Sequence, residues 1–319
     1  MATVDETAAR GRLGWRQSTI GELWAEFFGC FILICFGDGV VAMLWALFGS
    51  GRTTLQGPLQ SASDWLLITF GWCFAVCFAV YVVGGITGAH INPAITLGLA
   101  IRRQFPWNKV ASYWAAQVLG CFVGAALVFL VYNNAINFFD QTHHIVKGQP
   151  ASVATYSTFA TFPAPYFSNV LGPLIDQIVG TFFLALFVFA VTDEFNQPVL
   201  SNLAPLLVGF IVLAIGLSFG ANAGYAINPA RDFGPRIFAL IAGWGKVAFP
   251  GDYLHISNYF WVPIVGPLIG GALAAPVYDF GIRSILMARR GPEPGVQEVG
   301  ETVQDRRPGD PEPRDSANY

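Results

Sequence analysis

Gly88-Ala89-His90-Ile91-Asn92-Pro93-Ala94 recurs, with few changes, as Gly224-Tyr225-Ala226-Ile227-Asn228-Pro229-Ala230. Both stretches lie in segments too apolar for a surface loop. Asn is a preferred helix N-cap and Pro is the preferred first residue of a helix, so each Asn-Pro-Ala triplet predicts the start of a helix. One triplet could begin an ordinary helix beside a loop, but two triplets in matched contexts indicate two helices that begin inside an apolar environment.

A helix that begins inside a membrane requires irregular backbone just before it. Lipid does not tolerate such backbone unless it is packed in protein or lines a water-filled cavity. The N-terminus of each helix also carries a partial positive charge, which repels cations and protons. The two stretches therefore predict a cavity at membrane depth that admits neutral solutes.

The composition is that of a membrane protein. The chain has 319 residues, of which 54% are hydrophobic and 12% are charged, and its mean hydropathy is +0.52. Soluble proteins carry about twice this charged fraction. The formal net charge of −3 comes from an acidic C-terminal segment, residues 291–319, and no basic patch predicts binding to nucleic acid.

The five cysteines predict neither a disulfide framework nor a metal site. All of them lie in apolar segments, so we interpret them as small hydrophobic residues: Cys30, Cys35, Cys73, Cys77 and Cys121. The first nineteen residues are polar and lack an apolar core, so we expect no cleavable signal peptide. The sequence has no evident pair of nucleophile and base, so we expect neither an enzyme nor a cofactor.

Six hydrophobic stretches have about the 20 residues that a membrane-spanning helix needs. They fall at residues 20–48, 65–83, 110–132, 174–192, 203–220 and 258–286. Two shorter apolar runs, at 92–101 and 228–241, follow the triplets and predict half-helices. The segments 49–64 and 133–173 are rich in turn-forming residues and predict loops on the solvent side.

The basic residues predict the orientation of the chain. They precede the first span, lie between the second and third, and follow the sixth: Arg10, Arg12, Arg16, Arg102, Arg103, Lys109, Arg283, Arg289 and Arg290. These places share one side, which we expect to be cytoplasmic. We therefore expect a cytoplasmic N-terminal segment at residues 1–19, a channel domain at 20–286 and a disordered cytoplasmic tail at 287–319.

The channel domain is predicted to contain two repeats, at about 20–133 and 174–286, linked by a loop at 134–173. Each triplet is preceded by two spans and followed by one, so the halves insert with opposite orientation and the half-helices meet near the midplane. There each Asn can cap its own helix with its side-chain oxygen and direct its amide N–H groups into the pore. We also expect the carbonyls of residues 86–91 and 222–227 to line the pore.

At these motifs the sequence resembles the aquaporin or major intrinsic protein family, and within it the glycerol facilitator branch. The match extends over about residues 20–286 and includes the string Gln141-Thr142-His143-His144-Ile145-Val146. The resemblance implies an all-α fold with six transmembrane helices and two re-entrant half-helices. It also implies a homotetramer in the plasma (inner) membrane, with one pore per subunit that passively conducts glycerol, other small neutral polyols and water.

The resemblance implies a narrow filter near the outer end of the pore, at the positions of Trp72, Gly216, Tyr225 and Arg231. Arg231 is a permanent cation whose donors suit solute hydroxyls. Trp72 and Tyr225 offer an apolar corner to the carbon backbone of a solute. Water-selective relatives have His at the position of Gly216, so we expect Gly to leave room for a three-carbon polyol. Tyr225 replaces the Phe that glycerol facilitators often have, and it adds a hydroxyl.

The resemblance also implies roles for other polar residues. Asp232 marks the glycerol branch and is expected to pair with a basic group of its own loop. Glu26 is expected to accept N–H groups from the backbone ahead of the first half-helix, and Gln177 holds the matching place in the second half. We interpret Asp38 as a residue of the pore vestibule. His90 is interpreted as a scaffold or vestibule residue, with pH gating as the alternative.

The closest alternative function is a water-selective channel of the same family, against which Gly216 and Asp232 argue. A coupled secondary transporter also uses inverted repeats, but it would need paired acids at the midplane. A structural junction protein would not need a widened filter. The adjacent His143 and His144 have no carboxylate or Cys nearby to complete a metal site, so we expect no metal.

Overall fold

The computed structural model describes residues 14–50 and 62–290. Its eight principal helices are α1 (Thr19–Gly49), α2 (Ala62–Thr87), α3 (Pro93–Ile101), α4 (Trp107–Thr142), α5 (Leu171–Thr192), α6 (Ala204–Ala223), α7 (Pro229–Ala239) and α8 (Val262–Tyr278). Six helices are long and apolar enough to cross a membrane, which confirms the six predicted spans. The predictions for Arg10, Arg12, most of the loop 49–64 and the tail beyond residue 290 lie outside the described residues.

The short helices α3 and α7 are the two predicted half-helices. α3 begins at Pro93 and α7 begins at Pro229, each directly after its capping Asn. α3 packs against α8, and α7 packs against α4. Each half-helix therefore contacts the last spanning helix of the other half, so the two repeats interlock around the middle of the bundle.

Two matched glycines allow the spanning helices of each half to approach closely. A Cβ atom on Gly120 of α4 would overlap the carbonyl of Phe27 in α1, and one on Gly270 of α8 would overlap the carbonyl of Ile178 in α5. Small residues permit such contact between membrane helices. The α1/α4 and α5/α8 pairs thus share one packing scheme, as the internal repeat predicts.

The helix α4 is longer than the sequence predicts. It continues to Thr142, whereas a loop was expected from residue 134. The extension buries Ile136 and Phe139, and the Phe139 ring packs on Trp45 with 4.6 Å between ring centroids. Burial of these side chains outweighs the modest helix propensity of the three Asn residues in this stretch, Asn133, Asn134 and Asn137. The connection between the halves therefore begins at His143.

Four of the basic residues that predict the orientation lie at one end of the bundle, which we call the inner end: Arg102, Lys109, Arg283 and Arg290. Lys109 pairs with Glu22 at 2.8 Å at the start of α1, and Arg102 pairs with Asp279 at 2.8 Å just after α8. A last short helix, Ser284–Arg290, follows there. Arg290 donates a 2.6 Å hydrogen bond to a backbone carbonyl of the segment after α5. The prediction of disorder from residue 287 is therefore wrong for residues 287–290.

Candidate functional site

A cavity of 490 Å³ lies between the two halves of the bundle. Its wall is mostly aliphatic, with Leu33, Val76, Val80, Ile95, Leu184, Val188, Val208 and Val212 among the lining residues. The polar side chains on the wall are Tyr81, His90, Asn92, Thr192, Asn202, Tyr225, Asn228 and Arg231, together with the indole of Trp72. An apolar wall with a few placed polar groups orients a small solute without holding it tightly.

The two capping Asn residues face each other across the cavity and make mirror-image contacts. The side-chain oxygen of Asn92 accepts from the Ala94 N–H at 2.8 Å, and that of Asn228 accepts from the Ala230 N–H at 3.0 Å. The amide nitrogen of Asn92 donates to the Ile227 carbonyl at 2.9 Å, and that of Asn228 donates to the Ile91 carbonyl at 2.8 Å. One N–H of each amide remains for the cavity.

The backbone ahead of each half-helix is strained in the same pattern. Positive φ angles occur at Ala89 (52°) and Ile91 (41°), and again at Tyr225 (35°) and Ile227 (44°). Side chains other than Gly rarely adopt this region, and such strain is typical of functional sites. The pattern places free carbonyls beside the cavity, which a regular helix would not provide.

Fewer carbonyls are free than the sequence predicts. Within the described part of the chain, those of residues 88–90 and 224–226 have no hydrogen-bond partner. The carbonyl of Asn222 accepts from the Ala164 N–H at 2.8 Å, and that of Ala223 accepts from Gln177 at 2.9 Å. The expectation of exposed carbonyls is therefore wrong for these two residues, which neighbouring segments reach first, and for Ile91 and Ile227, whose carbonyls accept from the capping Asn side chains.

Arg231 and Trp72 meet at the outer end of the cavity, which we define by these two residues. The guanidinium carbon of Arg231 lies 4.1 Å from the centroid of the Trp72 ring, a cation–π distance. One guanidinium nitrogen approaches the Phe159 carbonyl at 3.5 Å. The other donors of Arg231 have no acceptor among the described residues, so they are available to a solute.

Gly216 does not leave the space that the sequence predicts. A Cβ atom at this position would lie 2.9 Å from Cζ of Tyr225 and 2.9 Å from Cγ2 of Thr69. The Tyr225 ring covers Gly216 and the next glycine along α6, Gly220. The expectation that Gly216 itself widens the pore is therefore wrong. Gly216 makes room for the Tyr225 ring, which becomes the wall of the cavity in its place.

The hydroxyl of Tyr225 is a buried polar group without a protein partner in the described part of the chain. The ring packs edge-on against Trp65 at 5.8 Å, and only 5% of the residue is exposed. A buried hydroxyl usually finds a hydrogen-bond partner. Tyr225 lines the cavity beside Arg231, but its hydroxyl is closed off from solvent, and the Cζ atom that carries it lies against Gly216 of α6.

Asp232 pairs with Arg236, one turn later in α7, at 2.8 Å, and both side chains are fully buried. The second carboxylate oxygen of Asp232 accepts from the Thr161 N–H at 2.8 Å and from its hydroxyl at 2.6 Å. Arg236 also donates to the Thr161 carbonyl at 2.7 Å. This network fixes the segment that carries the Phe159 carbonyl, and through it the contact to Arg231.

Glu26 and Gln177 reach the irregular backbone of the first and second half, respectively. Glu26 accepts from the Ile91 N–H at 2.7 Å, and Gln177 accepts from the Ile227 N–H at 3.0 Å. Both side chains are fully buried. They bind matched N–H groups directly before the capping Asn residues.

The remaining polar residues of interest lie apart from the outer end. Asp38 is fully buried in α1, both of its oxygens lack a partner in the described chain, and it is absent from the cavity wall, so its interpretation as a vestibule residue is wrong. His90 lines the cavity and contacts the Thr96 hydroxyl at 3.1 Å. His143 stacks on Phe139 at 4.0 Å, away from the cavity.

Sequence reasoning missed the residues that support the site from outside the motifs. Phe159 and Thr161 lie in the connection between the halves, where nothing in the local sequence marks them as partners of α7. Gln117 of α4 donates to Glu26 at 2.7 Å. The pairing of Asp232 with a basic group was expected, and its spacing of four residues from Arg236 on a helix is the signal that identifies this partner.

The sequence matches known proteins over most of its length. A family model described as "Major intrinsic protein" matches residues 15–278. The glycerol uptake facilitator protein of Escherichia coli is 40% identical over 81% of this chain and 86% of its own length. Human aquaporin-9 is 39% identical over 84% of each chain. The match to aquaporin-10 of Milnesium tardigradum, 40% identical, covers 62% of that protein.

The fold also matches a solved structure. The aquaglyceroporin from Plasmodium falciparum superimposes with a TM-score of 0.70 and 32% sequence identity. The match covers 85% of this chain and all of that structure. The likeness thus extends over both halves of the bundle and the cavity between them.

Proposed function

This chain belongs to the major intrinsic protein family, and from that premise we propose that it is a passive channel that conducts glycerol and water. The family is one of channels, not of enzymes. The observation that carries the proposal is the opposed pair of capping Asn residues inside an apolar cavity whose outer end holds Arg231. These donors and the free carbonyls replace the hydrogen bonds that a solute leaves in water.

Passage of glycerol requires one polar and one apolar side of the pore. Donors come from Arg231 and from the free N–H groups of Asn92 and Asn228, and acceptors come from the carbonyls of residues 88–90 and 224–226. Trp72 and the aliphatic wall contact the carbon backbone of the solute. Weak binding at several such sites along the cavity permits fast flux.

Ions and protons are excluded by the positive potential of the same groups. The N-termini of α3 and α7 both point into the cavity, and each carries about half a positive charge. Arg231 adds a full charge at the outer end and is the one cationic side chain among the described lining residues. A neutral solute does not feel this barrier, so the channel passes other small polyols together with glycerol.

A water-selective channel is the second candidate, because the Tyr225 ring fills the space beside Gly216 and narrows the cavity there. The two candidates differ in one observable, the permeability to glycerol. The site residues that we propose for either function are the triplets Asn92-Pro93-Ala94 and Asn228-Pro229-Ala230, the filter Trp72, Gly216, Tyr225 and Arg231, and the supports Asp232, Glu26 and Gln177.

The proposed assembly is a homotetramer in the plasma (inner) membrane with both termini in the cytoplasm. The basic residues at the inner end support this orientation. Two exposed aromatic faces are suited to a second copy or to lipid: Phe36, Phe70, Phe74 and Phe78 on α1 and α2, and Phe187 and Phe210 on α5 and α6. Heterologous contact between two such faces closes a ring. Native mass spectrometry of the purified protein measures the number of copies.

Stopped-flow light scattering on proteoliposomes tests the function directly. We expect fast glycerol and water entry at low activation energy and no proton leak for the wild type. In Arg231→Val, the loss of the cation at the outer end should let protons pass, which a pH-sensitive dye inside the liposomes detects. Water entry without glycerol entry in the wild type would favour the water-selective candidate, and an unchanged proton barrier in Arg231→Val would contradict the role of Arg231.

The Tyr225 hydroxyl gives a second, milder prediction. In Tyr225→Phe the ring keeps its packing on Gly216 and loses a buried hydroxyl that has no partner in the described chain. An unpaired buried hydroxyl carries a desolvation penalty of about 1–3 kcal/mol, so we expect the variant to be at least as stable as the wild type and its ratio of glycerol to water permeability to stay within about twofold. Stopped-flow measurement of both solutes on the same vesicles gives this ratio. A larger change in the ratio would show that permeating solutes reach the hydroxyl.

A further inference from the structure

The two halves of the pore share one fold but rest on supports of different charge. Glu26 and Gln177 occupy matched places in the two halves. The residue after each has a backbone carbonyl that lies against a glycine of the partner helix: Phe27 against Gly120, and Ile178 against Gly270. One side chain is an acid and the other is an amide. The difference extends to the groups around them.

The inner support is surrounded by hydrogen-bond donors. Glu26 accepts from the Thr87 hydroxyl at 2.6 Å, from the His90 N–H at 3.0 Å, from the Ile91 N–H at 2.7 Å and from the Gln117 amide at 2.7 Å. A buried carboxylate is stabilised when several donors satisfy its lone pairs. Four donors around one carboxylate form a site built for an anion.

The outer support has one donor and one acceptor around it. The side-chain oxygen of Gln177 accepts from the Ile227 N–H at 3.0 Å, and its nitrogen donates to the Ala223 carbonyl at 2.9 Å. An amide satisfies both partners at once, because it carries an acceptor and donors. A carboxylate could accept from Ile227 but would face the Ala223 carbonyl with a second acceptor.

The missing donors can be traced to two substitutions between the repeats. Thr87 and Ala223 are each the last residue of a helix, directly before a glycine of positive φ, but only Thr87 has a hydroxyl. Gln117 lies three residues before Gly120, and the residue three before Gly270 is Pro267, which has no side-chain donor. The outer half therefore lacks both side-chain donors that the inner half gives to its acid.

We propose that Gln177 is a positioning residue whose site accepts only a neutral side chain. Of the two supports, only the inner one, Glu26, is then a buried anion. This inference rests on the proposed channel function and adds the part of the pore at which cations and protons are excluded. In the inner half the charge of Glu26 offsets the positive N-terminus of α3. In the outer half the N-terminus of α7 and Arg231 act without such an offset, so cations and protons are stopped there.

The test compares Gln177→Glu with Gln177→Met in purified, reconstituted protein. Glu resembles Gln in shape and retains the acceptor for Ile227, whereas Met is neutral and retains neither hydrogen bond. If the site rejects charge, Glu is the more harmful change, and we expect it to lower glycerol permeability at least about tenfold, against about threefold for Met. If Gln177→Glu fails to fold while Gln177→Met folds, Glu is again the more harmful substitution, and this result also supports the proposal. Equal losses, or a smaller loss for Glu, would overturn it.

Proton leak separates the charge effect from a structural one. We expect the ratio of proton leak to glycerol permeability to rise in Gln177→Glu, because the new anion offsets the positive potential of the outer half, and to stay at the wild-type value in Gln177→Met. An equal ratio in both variants would overturn the placement of the barrier. The wild-type glycerol permeability, measured in the same experiment, tests the proposed function independently. A wild type without glycerol flux would refute that function. Whether Gln177→Glu folds less well than Gln177→Met would still test whether the site rejects a charge.

Discussion

Replacement of Gly216 by His is expected to abolish glycerol permeation while part of the water permeation remains. Any side chain at this position meets Cζ of Tyr225 and Cγ2 of Thr69, which a Cβ atom would approach to 2.9 Å. The Tyr225 ring is held from behind by Trp65 and Gly220, so it must move toward the cavity. A His side chain also adds bulk and a polar ring at the narrow outer end beside Arg231.

The tight packing at Gly216 makes the effect depend on the size of the new side chain. Overpacking of a well-packed site commonly costs about 1–3 kcal/mol of folding stability, and here the strain is relieved when the Tyr225 ring moves into the cavity. The smaller Gly216→Ala change should therefore lower glycerol permeability in part, and Gly216→His should lower it further. Water, which needs a narrower opening than glycerol, should be less affected in both variants.

A matched control exists on α1. A Cβ atom on Gly39 would meet no other atom within 4 Å, so Gly39→Ala should leave both permeabilities unchanged. Stopped-flow light scattering on vesicles with equal amounts of inserted protein measures all three variants. Wild-type glycerol flux through correctly inserted Gly216→His would refute the position of the Tyr225 ring and the assignment of the filter.

Loss of the ion pair between Asp232 and Arg236 is expected to have the largest effect on stability. Both side chains have an exposure of 0%. Removal of one member of such a pair leaves an uncompensated charge in the interior and typically costs about 3–5 kcal/mol. Asp232→Asn should therefore lower the thermal midpoint of the detergent-purified protein and lose both glycerol and water permeability, because the contact between Arg231 and the Phe159 carbonyl depends on this network.

Two further variants separate charge from shape in this network. The double variant Asp232→Asn/Arg236→Met removes both charges and should recover part of the stability lost in Asp232→Asn. Lys109→Met breaks the partly exposed pair with Glu22, whose side chains are 29% and 27% exposed, and should change the stability by less than about 1 kcal/mol. If Asp232→Asn has the same thermal midpoint as Lys109→Met, the buried ion pair does not hold the segment of Phe159 and Thr161 in place.

The sequence predicts the topology of this protein because the signals involved are local. Runs of apolar residues set the six spans, and Asn followed by Pro sets the starts of α3 and α7, since capping depends on neighbouring residues alone. The repeat of Asn92 and Asn228 in matched contexts then requires two half-helices that enter from opposite faces. The pairing of Asp232 with a basic residue in its own loop is local for the same reason.

The residues that contact each other across the fold could not be predicted in this way. Gly216 suggests empty space, but the space beside a glycine belongs to whichever side chain the backbone brings there, and here it is the ring of Tyr225. Asp38 suggests a solvated vestibule, yet α1 turns it into the interior. α4 extends past residue 134 because Trp45 of another helix covers Phe139.

The sequence by itself determined the family, the inverted repeat and the two capped half-helices, because each depends on residues that are close along the chain. Tertiary structure alone decided which carbonyls remain free, what fills the filter and how the two halves are supported. Those features depend on distances between segments far apart in sequence, such as the one between Gln177 and the Ala223 carbonyl. A hydrogen bond of this kind forms only when packing brings its partners within reach, and no local pattern encodes that distance.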